Sequence, residues 1–333
     1  MKTFMNALKK FKGRKAILMT ITALLISALF FIIFSKENVM PAFYTDQSIK
    51  TRVMSMDGYV RSIPLIIGDS LEIATYDALD SIYVEYSRRG IFPTQTEFET
   101  NLTNCITCGR MGSCVGAMSG AVCVLMNSTD LLSIEARLVN LSSQHLNINT
   151  TFSLYDLDVI QNYPYDVDVY AEIGYTVSDN SFGIKWTKRE NITRIVSIIG
   201  LKDPLVGINT AQGYEKVIFR SAICEFNDTC WDYNRTKAFY NEQKFTYAIN
   251  GTSFLSRYWN STSPSRCCGI ESFMNVTDYR NVSFLDHYYF SGEYSCPQKT
   301  ILSYSTISTY FKLDSETAGR YGISDNGTLL CRS

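Results

Sequence analysis

Apolar residues recur every three or four positions along the segment from Thr45 to Arg89. This interval is typical of one face of an α-helix, so the pattern predicts a long amphipathic helix over residues 45–89. Pro64 lies within the segment and is expected to kink the helix, because proline removes one backbone hydrogen bond. The apolar positions are Ile49, Val53, Met56, Val60, Ile63, Ile67, Leu71, Ala74, Ala78 and Ile82.

Further along the chain, helical spacing gives way to alternation. Residues 129–143 are predicted to form a second helix, capped by Ser128 or Thr129. The stretches LNINTTFSLYDLDVI and YDVDVYAEIGYTVS then alternate between apolar and polar residues, as half-buried strands do. After a turn at SDNSFG, IKWTKRENITRIVSIIG is predicted to form another strand pair. Residues 129–220 are therefore expected to be a helix plus antiparallel-sheet module, with the sheet mainly within 145–200, and the fold class is predicted to be α+β.

Residues 221–333 show no regular periodicity and are rich in aromatic residues, cysteine and the pattern Asn-x-Ser/Thr. Within this C-terminal module, NGTSFLSRYW is predicted to be helical, and HYYFSGEY is predicted to form a strand and a turn.

The amino terminus carries a candidate membrane anchor. Ala16 to Phe34 is uncharged, and at ~1.5 Å per residue it spans roughly 28 Å, close to the ~30 Å hydrocarbon core of a bilayer. Residues 16–34 are therefore predicted to be a transmembrane helix with the lipid bilayer as its partner. Six basic and no acidic residues precede it, which places residues 1–15 in the cytoplasm as a basic stub and residues 36–333 outside the cell. The alternative is a cleaved signal peptide.

Asparagine acceptor patterns are unusually frequent. With 20 Asn and 63 Ser or Thr among 333 residues, chance placement gives about four Asn-x-Ser/Thr patterns, and the chain has twelve. None has proline in the middle position, so all are competent sites for N-glycosylation, which requires export. The competing interpretation is a chain that is merely rich in Asn and Thr turns. The twelve candidates are Asn101, Asn127, Asn140, Asn149, Asn191, Asn227, Asn234, Asn250, Asn260, Asn275, Asn281 and Asn326.

Cysteine usage agrees with export, because an even number of cysteines in an exported region indicates disulfides. The spacing C-x2-C-x5-C-x8-C over residues 105–123, in a predicted Cys-rich loop 101–126, would also suit zinc or a redox pair, although no histidine lies nearer than His145. Cys224 and Cys230 are expected to close a small loop, and the adjacent Cys267 and Cys268 are expected to have separate partners. The ten candidates are Cys105, Cys108, Cys114, Cys123, Cys224, Cys230, Cys267, Cys268, Cys296 and Cys331.

The net charge and the absence of catalytic motifs exclude several classes of function. Beyond the basic stub the chain has 25 basic and 32 acidic residues, which argues against nucleic-acid binding. His145 and His287 are the two histidines; the first is interpreted as a helix-boundary residue and the second, beside Asp286, as structural. No nucleophile, phosphate-loop or dinucleotide motif is present. Two aspartate pairs, Asp156 with Asp158 and Asp166 with Asp168, lack the glycine and closing glutamate of a calcium loop. We therefore expect no catalytic residue, metal or cofactor.

Three short stretches carry a resemblance. IIGLKDPLVGINT (198–210), SFLSRYWNSTSPSRCCGIESFMNV (253–276) and LDHYYF (285–290) resemble blocks found in uncharacterised archaeal single-pass membrane proteins with exported outer domains. Such proteins share a basic stub, one span, a long helix and a helix-plus-strand module that ends near an Asp-Pro-Leu turn. The resemblance implies architecture and location, and it implies no activity.

Three hypotheses for the function follow. The first is a membrane-anchored cell-surface glycoprotein with a structural or binding role and no chemistry, in which the helix over 45–89 serves a protein partner or self-association. The second is a pilin-like filament subunit, although Pro41 interrupts a helix that pilins keep continuous. The third is an exported enzyme, either one that uses Cys105 and Cys108 for thiol exchange or one of another kind.

Overall fold

The structure is a computed structural model that describes residues 46–114, 121–179, 183–226, 228–274, 284–291 and 300–331. The predicted basic stub and transmembrane helix lie outside these residues. Within the described residues, no helix combines the length and the apolar character needed to cross a membrane.

Helices and antiparallel sheets make up the described chain, so the α+β class is confirmed. The helices are α1 (Asp46–Arg89), α2 (Gln95–Cys108), α3 (Leu131–Leu146), α4 (Pro204–Asn209), α5 (Tyr233–Glu242), α6 (Asp286–Ser291) and α7 (Ser315–Arg320). The strands are β1 (Ile148–Tyr163), β2 (Asp166–Asp179), β3 (Lys185–Ser197), β4 (Thr246–Ser253), β5 (Gly269–Glu271), β6 (Ile301–Ser303), β7 (Lys312–Asp314) and β8 (Thr328–Cys331). Their orders in the three sheets are β1-β2-β3, β4-β5 and β7-β6-β8.

The described residues divide into two compact units. The first contains residues 46–63, 135–153 and 174–189, and the second contains residues 64–134, 154–173 and 190–331. In the first unit, Arg52 Nε donates to the buried carboxylate of Asp179 at 2.7 Å, and Arg52 Nη2 donates to the carbonyl oxygen of Leu146.

The predicted long helix is confirmed as α1, which has 44 residues. Of the nine predicted apolar positions whose side chains the structure describes, eight are buried, which shows why the spacing forms this helix: Met56, Val60, Ile63, Ile67, Leu71, Ala74, Ala78 and Ile82. The helix continues through Pro64. Because Pro64 has no N–H, the carbonyl of Val60 lacks its usual helical donor, and Tyr175 Oη donates to that carbonyl at 3.4 Å instead.

The three-stranded sheet follows the predicted α3, and two residues, Pro164 and Tyr165, connect β1 to β2. Alternate residues of β2 are buried from Val167 to Asp179, which gives the sheet one buried face. The predicted strand pair after the turn is wrong, because β3 is one continuous strand of 13 residues. The polar residues Glu190 and Asn191 lie in its middle, where alternation with buried Ile192 and Val196 continues.

The predicted loop 101–126 is wrong in its first part, because residues 101–108 belong to α2. Thr94 caps this helix, its hydroxyl accepting from the backbone N–H of Glu97 at 3.2 Å. Gly109 ends it with a φ of 67°, a conformation that costs glycine little. The buried residues Phe98, Leu102, Cys105 and Ile106 have helical spacing that the cysteine pattern obscured.

The predictions for two stretches of the C-terminal module are also corrected. The stretch HYYFSGEY was expected to be a strand and a turn, but its first part lies in α6. The stretch NGTSFLSRYW ends in a short 3-10 helix, Leu255–Trp259, so it is helical only in part. Tyr289 of the first stretch belongs to the aromatic core of the second unit, where the rings of Phe273 and Phe311 lie 4.9 Å apart, and Tyr258 of the second stretch stacks on Phe98. Tertiary packing of aromatic residues therefore outweighs local preference here.

We expect Tyr175→Phe to lower the free energy of unfolding by about 1 kcal/mol, because the Val60 carbonyl loses its donor. In a Pro64→Ala background the backbone regains an N–H at position 64, so the same substitution should cost less than half as much. Chemical denaturation of the four variants measures this coupling, with Tyr170→Phe on the exposed Tyr170 as the control. Equal costs in both backgrounds would contradict the compensation.

Candidate functional site: acceptor asparagines, cysteine pairs and a buried charge cluster

The structure describes nine of the twelve candidate acceptor asparagines, and Asn227, Asn275 and Asn281 lie outside the described residues. Eight of the nine are exposed, which is a necessary condition for carrying a glycan. They are Asn127, Asn140, Asn149, Asn191, Asn234, Asn250, Asn260 and Asn326.

Asn101 is the exception among the described acceptors. It is half-buried inside α2, and its Nδ2 donates to the hydroxyl of Tyr86 at 2.8 Å. That hydroxyl in turn donates to Glu97 Oε1 at 2.7 Å. Burial and the neighbouring Glu97 carboxylate raise the pKa of Tyr86 above its ordinary value, so the hydroxyl keeps its proton. A glycan attaches to the Asn101 amide nitrogen and would have to displace this contact, which makes Asn101 the poorest acceptor of the nine.

The exposed acceptors lie on several kinds of backbone. Asn149 lies on β1 between two buried residues, and Asn191 lies on β3 between the half-buried Glu190 and the buried Ile192. Asn260 ends the short 3-10 helix in a left-handed conformation, with a φ of 56°. Asn250 lies inside β4 where the pairing with β5 is interrupted, because Tyr247 and Thr252 both pair with Ile270. Its backbone is therefore irregular although it belongs to a strand.

Four pairs of cysteines lie at disulfide distance: Cys105–Cys123, Cys108–Cys114, Cys224–Cys230 and Cys267–Cys268. The expected small loop at Cys224–Cys230 agrees with this arrangement, whereas the expectation of separate partners for Cys267 and Cys268 is wrong. Cys105 and Cys108 face different partners, so the thiol-exchange pair expected from their spacing does not form. Cys296 lies outside the described residues, and Cys331 ends β8.

Within the described residues, no group of three or more His, Cys, Asp or Glu side chains is arranged to hold a metal ion. The exposed Asp156 and Asp158 each accept from the backbone N–H of the next residue at 2.9 Å. Asp168 accepts from Asn162 Nδ2 at 2.7 Å. His145 lies exposed in the last turn of α3.

A buried charge cluster in the second unit was not predicted from the sequence. Its centre is Arg257, in the 3-10 helix Leu255–Trp259, which is fully buried. Arg257 Nη1 donates to Asp203 Oδ2 at 2.8 Å and to Asp286 Oδ2 at 2.9 Å. Its Nη2 donates to the carbonyl oxygen of Ile270 in β5. One guanidinium therefore joins segments that lie far apart in the sequence.

A second cation completes the cluster. Lys216 Nζ donates to the carbonyl oxygen of Phe273 at 2.7 Å and is also buried. The ring of Phe245 lies 5.2 Å from Lys216 Nζ and 5.5 Å from the Arg257 guanidinium carbon, so both cations face the same aromatic ring. Two carboxylates and two cations make the cluster formally neutral, which is the condition under which charges can be buried.

Local backbone geometry places the two carboxylates. Asp203 caps α4, its side chain accepting from the N–H of Leu205 at 3.0 Å, and Pro204 begins the helix. Asp286 begins α6 and accepts from the hydroxyl of Ser272 at 3.1 Å and from the N–H of His287 at 2.7 Å. The Asp-Pro-Leu stretch noted in the sequence is thus a helix cap, and its aspartate also serves the cluster.

The environment shifts the pKa values of the cluster in opposite directions. Burial raises the pKa of Asp203 to about 6, although Arg257 opposes the shift. Burial also acts to raise the pKa of Asp286, but Arg257 and His287 outweigh it and lower that pKa. Desolvation lowers the pKa of Lys216 to about 8 despite the two nearby carboxylates. Asp286 is therefore the permanent counter-ion of Arg257.

The side chains of the charge cluster are buried away from solvent, which limits the reactions they can take part in. Asp203, Arg257 and Asp286 have no exposed side-chain surface. His287 Nδ1 lies 3.2 Å from Asp286 Oδ1, and its Nε2 has no hydrogen-bond partner in the described part of the chain, but this histidine is 2% exposed. Substrates do not reach atoms buried to this degree, so the cluster organises the second unit.

A related contact lies beside the cluster. Glu271, at the end of β5, accepts from Arg320 Nη2 and from the hydroxyl of Tyr321, both at 2.5 Å. Glu271 was not predicted from the sequence because its partners are 49 and 50 residues away. For the buried charge cluster, the local signal in the sequence was the neighbouring pair Asp286 and His287, which was interpreted as structural.

Comparison with protein-family models, with curated proteins and with solved structures found no match to this chain. The resemblance to archaeal single-pass membrane proteins therefore stays a prediction.

Lys216→Met should change how stability depends on pH. Folded Lys216 releases its proton near pH 8, against an ordinary pKa of 10.5. Between these values the unfolded chain binds more protons, so stability rises with pH across this window. The free energy of unfolding of the native chain, relative to that of the variant, should therefore rise by about 3 kcal/mol from pH 8 to 10.5.

The matched control is Lys237→Met, at an exposed lysine of α5 that lies outside the cluster. If the free energies of unfolding of the native chain and Lys216→Met differ by the same amount at pH 8 and at pH 10.5, the depressed pKa is contradicted.

Proposed function

We propose that the protein is a membrane-anchored cell-surface glycoprotein with a structural or binding role. The observation that carries the proposal is the combination of a threefold excess of acceptor patterns with the exposure of eight of the nine described acceptors. Exposure alone does not indicate glycosylation, because most asparagine side chains are exposed. The excess of acceptor patterns therefore distinguishes glycosylation from chance, and the exposure leaves the acceptors accessible to glycans.

Two further features support export. Four cysteine pairs lie at disulfide distance, an arrangement suited to an oxidising compartment. The uncharged run 16–34 behind six basic residues fits a retained anchor with a cytoplasmic amino terminus and residues 36–333 outside the cell. Under this proposal the glycans solubilise the outer region and limit which surfaces a partner can approach.

Glycopeptide mass spectrometry of protein purified from its native membrane tests the proposal. We expect glycans on most of the eight exposed acceptors and an unmodified Asn101, because its amide nitrogen is held by Tyr86. In the native host, Asn127→Gln should lose the mass of one glycan, while the matched variant Asn101→Gln should keep the full glycan mass. Unmodified asparagine at every exposed acceptor would refute the glycoprotein proposal.

A filament subunit is the second candidate, favoured by one observation: the 44-residue α1 is followed by an antiparallel sheet, which is the plan of a pilin. Amino-terminal sequencing of the native protein separates the two proposals. An anchored glycoprotein keeps residues 1–15, whereas a processed filament subunit loses the basic leader.

A further inference from the structure

The pair Cys267–Cys268 differs from the other described cysteine pairs in what it can do for the fold. A disulfide stabilises a fold mainly by closing a loop in the unfolded chain, and the effect grows with loop length. Cys105–Cys123 spans 18 residues, whereas Cys267 and Cys268 are neighbours. The adjacent pair therefore closes almost no loop, and stabilisation of the fold does not account for it.

Accessibility distinguishes the same pair. Among the eight cysteines of the four described pairs, Cys267 is the one classed as exposed, while its neighbour Cys268 is 2% exposed. Cys105 and Cys123 are both buried. A thiolate from solution can therefore approach the pair at the exposed Cys267, and attack on its sulfur makes the buried Cys268 the leaving group.

A hydrogen-bond donor lies where the leaving group needs one. The Ser265 hydroxyl oxygen is 3.1 Å from Cys268 Sγ and 3.5 Å from Cys267 Sγ. On the other side, Cys268 Sγ lies 3.1 Å from the carbonyl oxygen of Gln161. The Ser265 hydroxyl can donate to a thiolate as it forms on Cys268, and the Gln161 carbonyl can accept from the thiol once it is protonated.

We propose that Cys267–Cys268 is a thiol–disulfide exchange site that accepts electrons from an exported dithiol. A thiolate of the dithiol attacks Cys267 Sγ, the bond between the two sulfurs breaks, and Cys268 leaves as a thiolate that receives the Ser265 hydrogen bond. The second thiol of the dithiol, as its thiolate, then attacks the mixed disulfide and releases Cys267. The dithiol becomes a disulfide, and two electrons and two protons pass to Cys267 and Cys268.

This activity does not need the proposed glycans, because it rests on the geometry around one cysteine pair, and only the exported location of the dithiol rests on the proposed function. It also relocates the exchange chemistry that the spacing of Cys105 and Cys108 suggested. Those two cysteines have other partners, and the pair that contains an exposed cysteine, Cys267–Cys268, lies elsewhere in the chain.

The test uses the full chain in detergent with dithiothreitol as the probe dithiol, followed by timed alkylation and mass spectrometry of each cysteine. Cys267 should be labelled at least about tenfold faster than Cys105 and Cys123, because exposure governs the exchange rate. Labelling of Cys267 no faster than of the buried pair would overturn the proposal.

Ser265→Ala tests the assigned donor in the same assay. Its reduction at Cys267–Cys268 should slow about tenfold, the rate equivalent of one hydrogen bond to a charged group. Reduction of Cys224–Cys230 in the same sample is the internal control and should not change. An unchanged rate at Cys267–Cys268 would remove Ser265 from the mechanism, and equal slowing at both pairs would show a general structural effect and overturn the assignment.

Discussion

The second unit depends on the need to neutralise one buried guanidinium. Arginine keeps its charge at every physiological pH, and Arg257 is fully buried. An unpaired charge in this position would cost several kcal/mol, so its partners must come from wherever the chain can supply them. They are Asp203 before α4, Asp286 at the start of α6 and the Ile270 carbonyl in β5.

This requirement links the local elements to one another. Asp203 both caps α4 and binds Arg257, so the helix start and the ion pair form together. Asp286 likewise begins α6 while it accepts from Ser272. Lys216 reaches the carbonyl of Phe273, whose ring lies in the aromatic core. A polar centre surrounded by aromatic residues therefore holds together segments that have little regular secondary structure of their own.

Sequence reasoning succeeded where the signal was local. The helix α1 and the strands β1 and β2 followed from periodicity, because burial of one face repeats at the period of the element. The acceptor asparagines were found for the same reason, since each pattern occupies three residues. Periodicity also gave α3, with its ends shifted by two or three residues.

The remaining features could not be derived because their partners are distant or their local signals mislead. The cysteine pattern obscured the helical spacing of α2, and the stretch that forms the single strand β3 was predicted to form two strands. Arg257 lies 54 residues from Asp203, and nothing in the sequence between them marks the contact. The pairing of adjacent Cys267 and Cys268 ran against the ordinary expectation that neighbouring cysteines bind separate partners.

The most direct test of the central role of Arg257 is the free energy of unfolding of Arg257→Met at neutral pH. The account expects a loss of about 3–5 kcal/mol, because Asp203 and Asp286 are left buried without their cation. Adding Asp203→Asn and Asp286→Asn should recover part of that loss. Arg61→Met, which removes an exposed ion pair with Asp57, should cost at most about 1 kcal/mol. A loss for Arg257→Met no larger than for Arg61→Met would contradict the account.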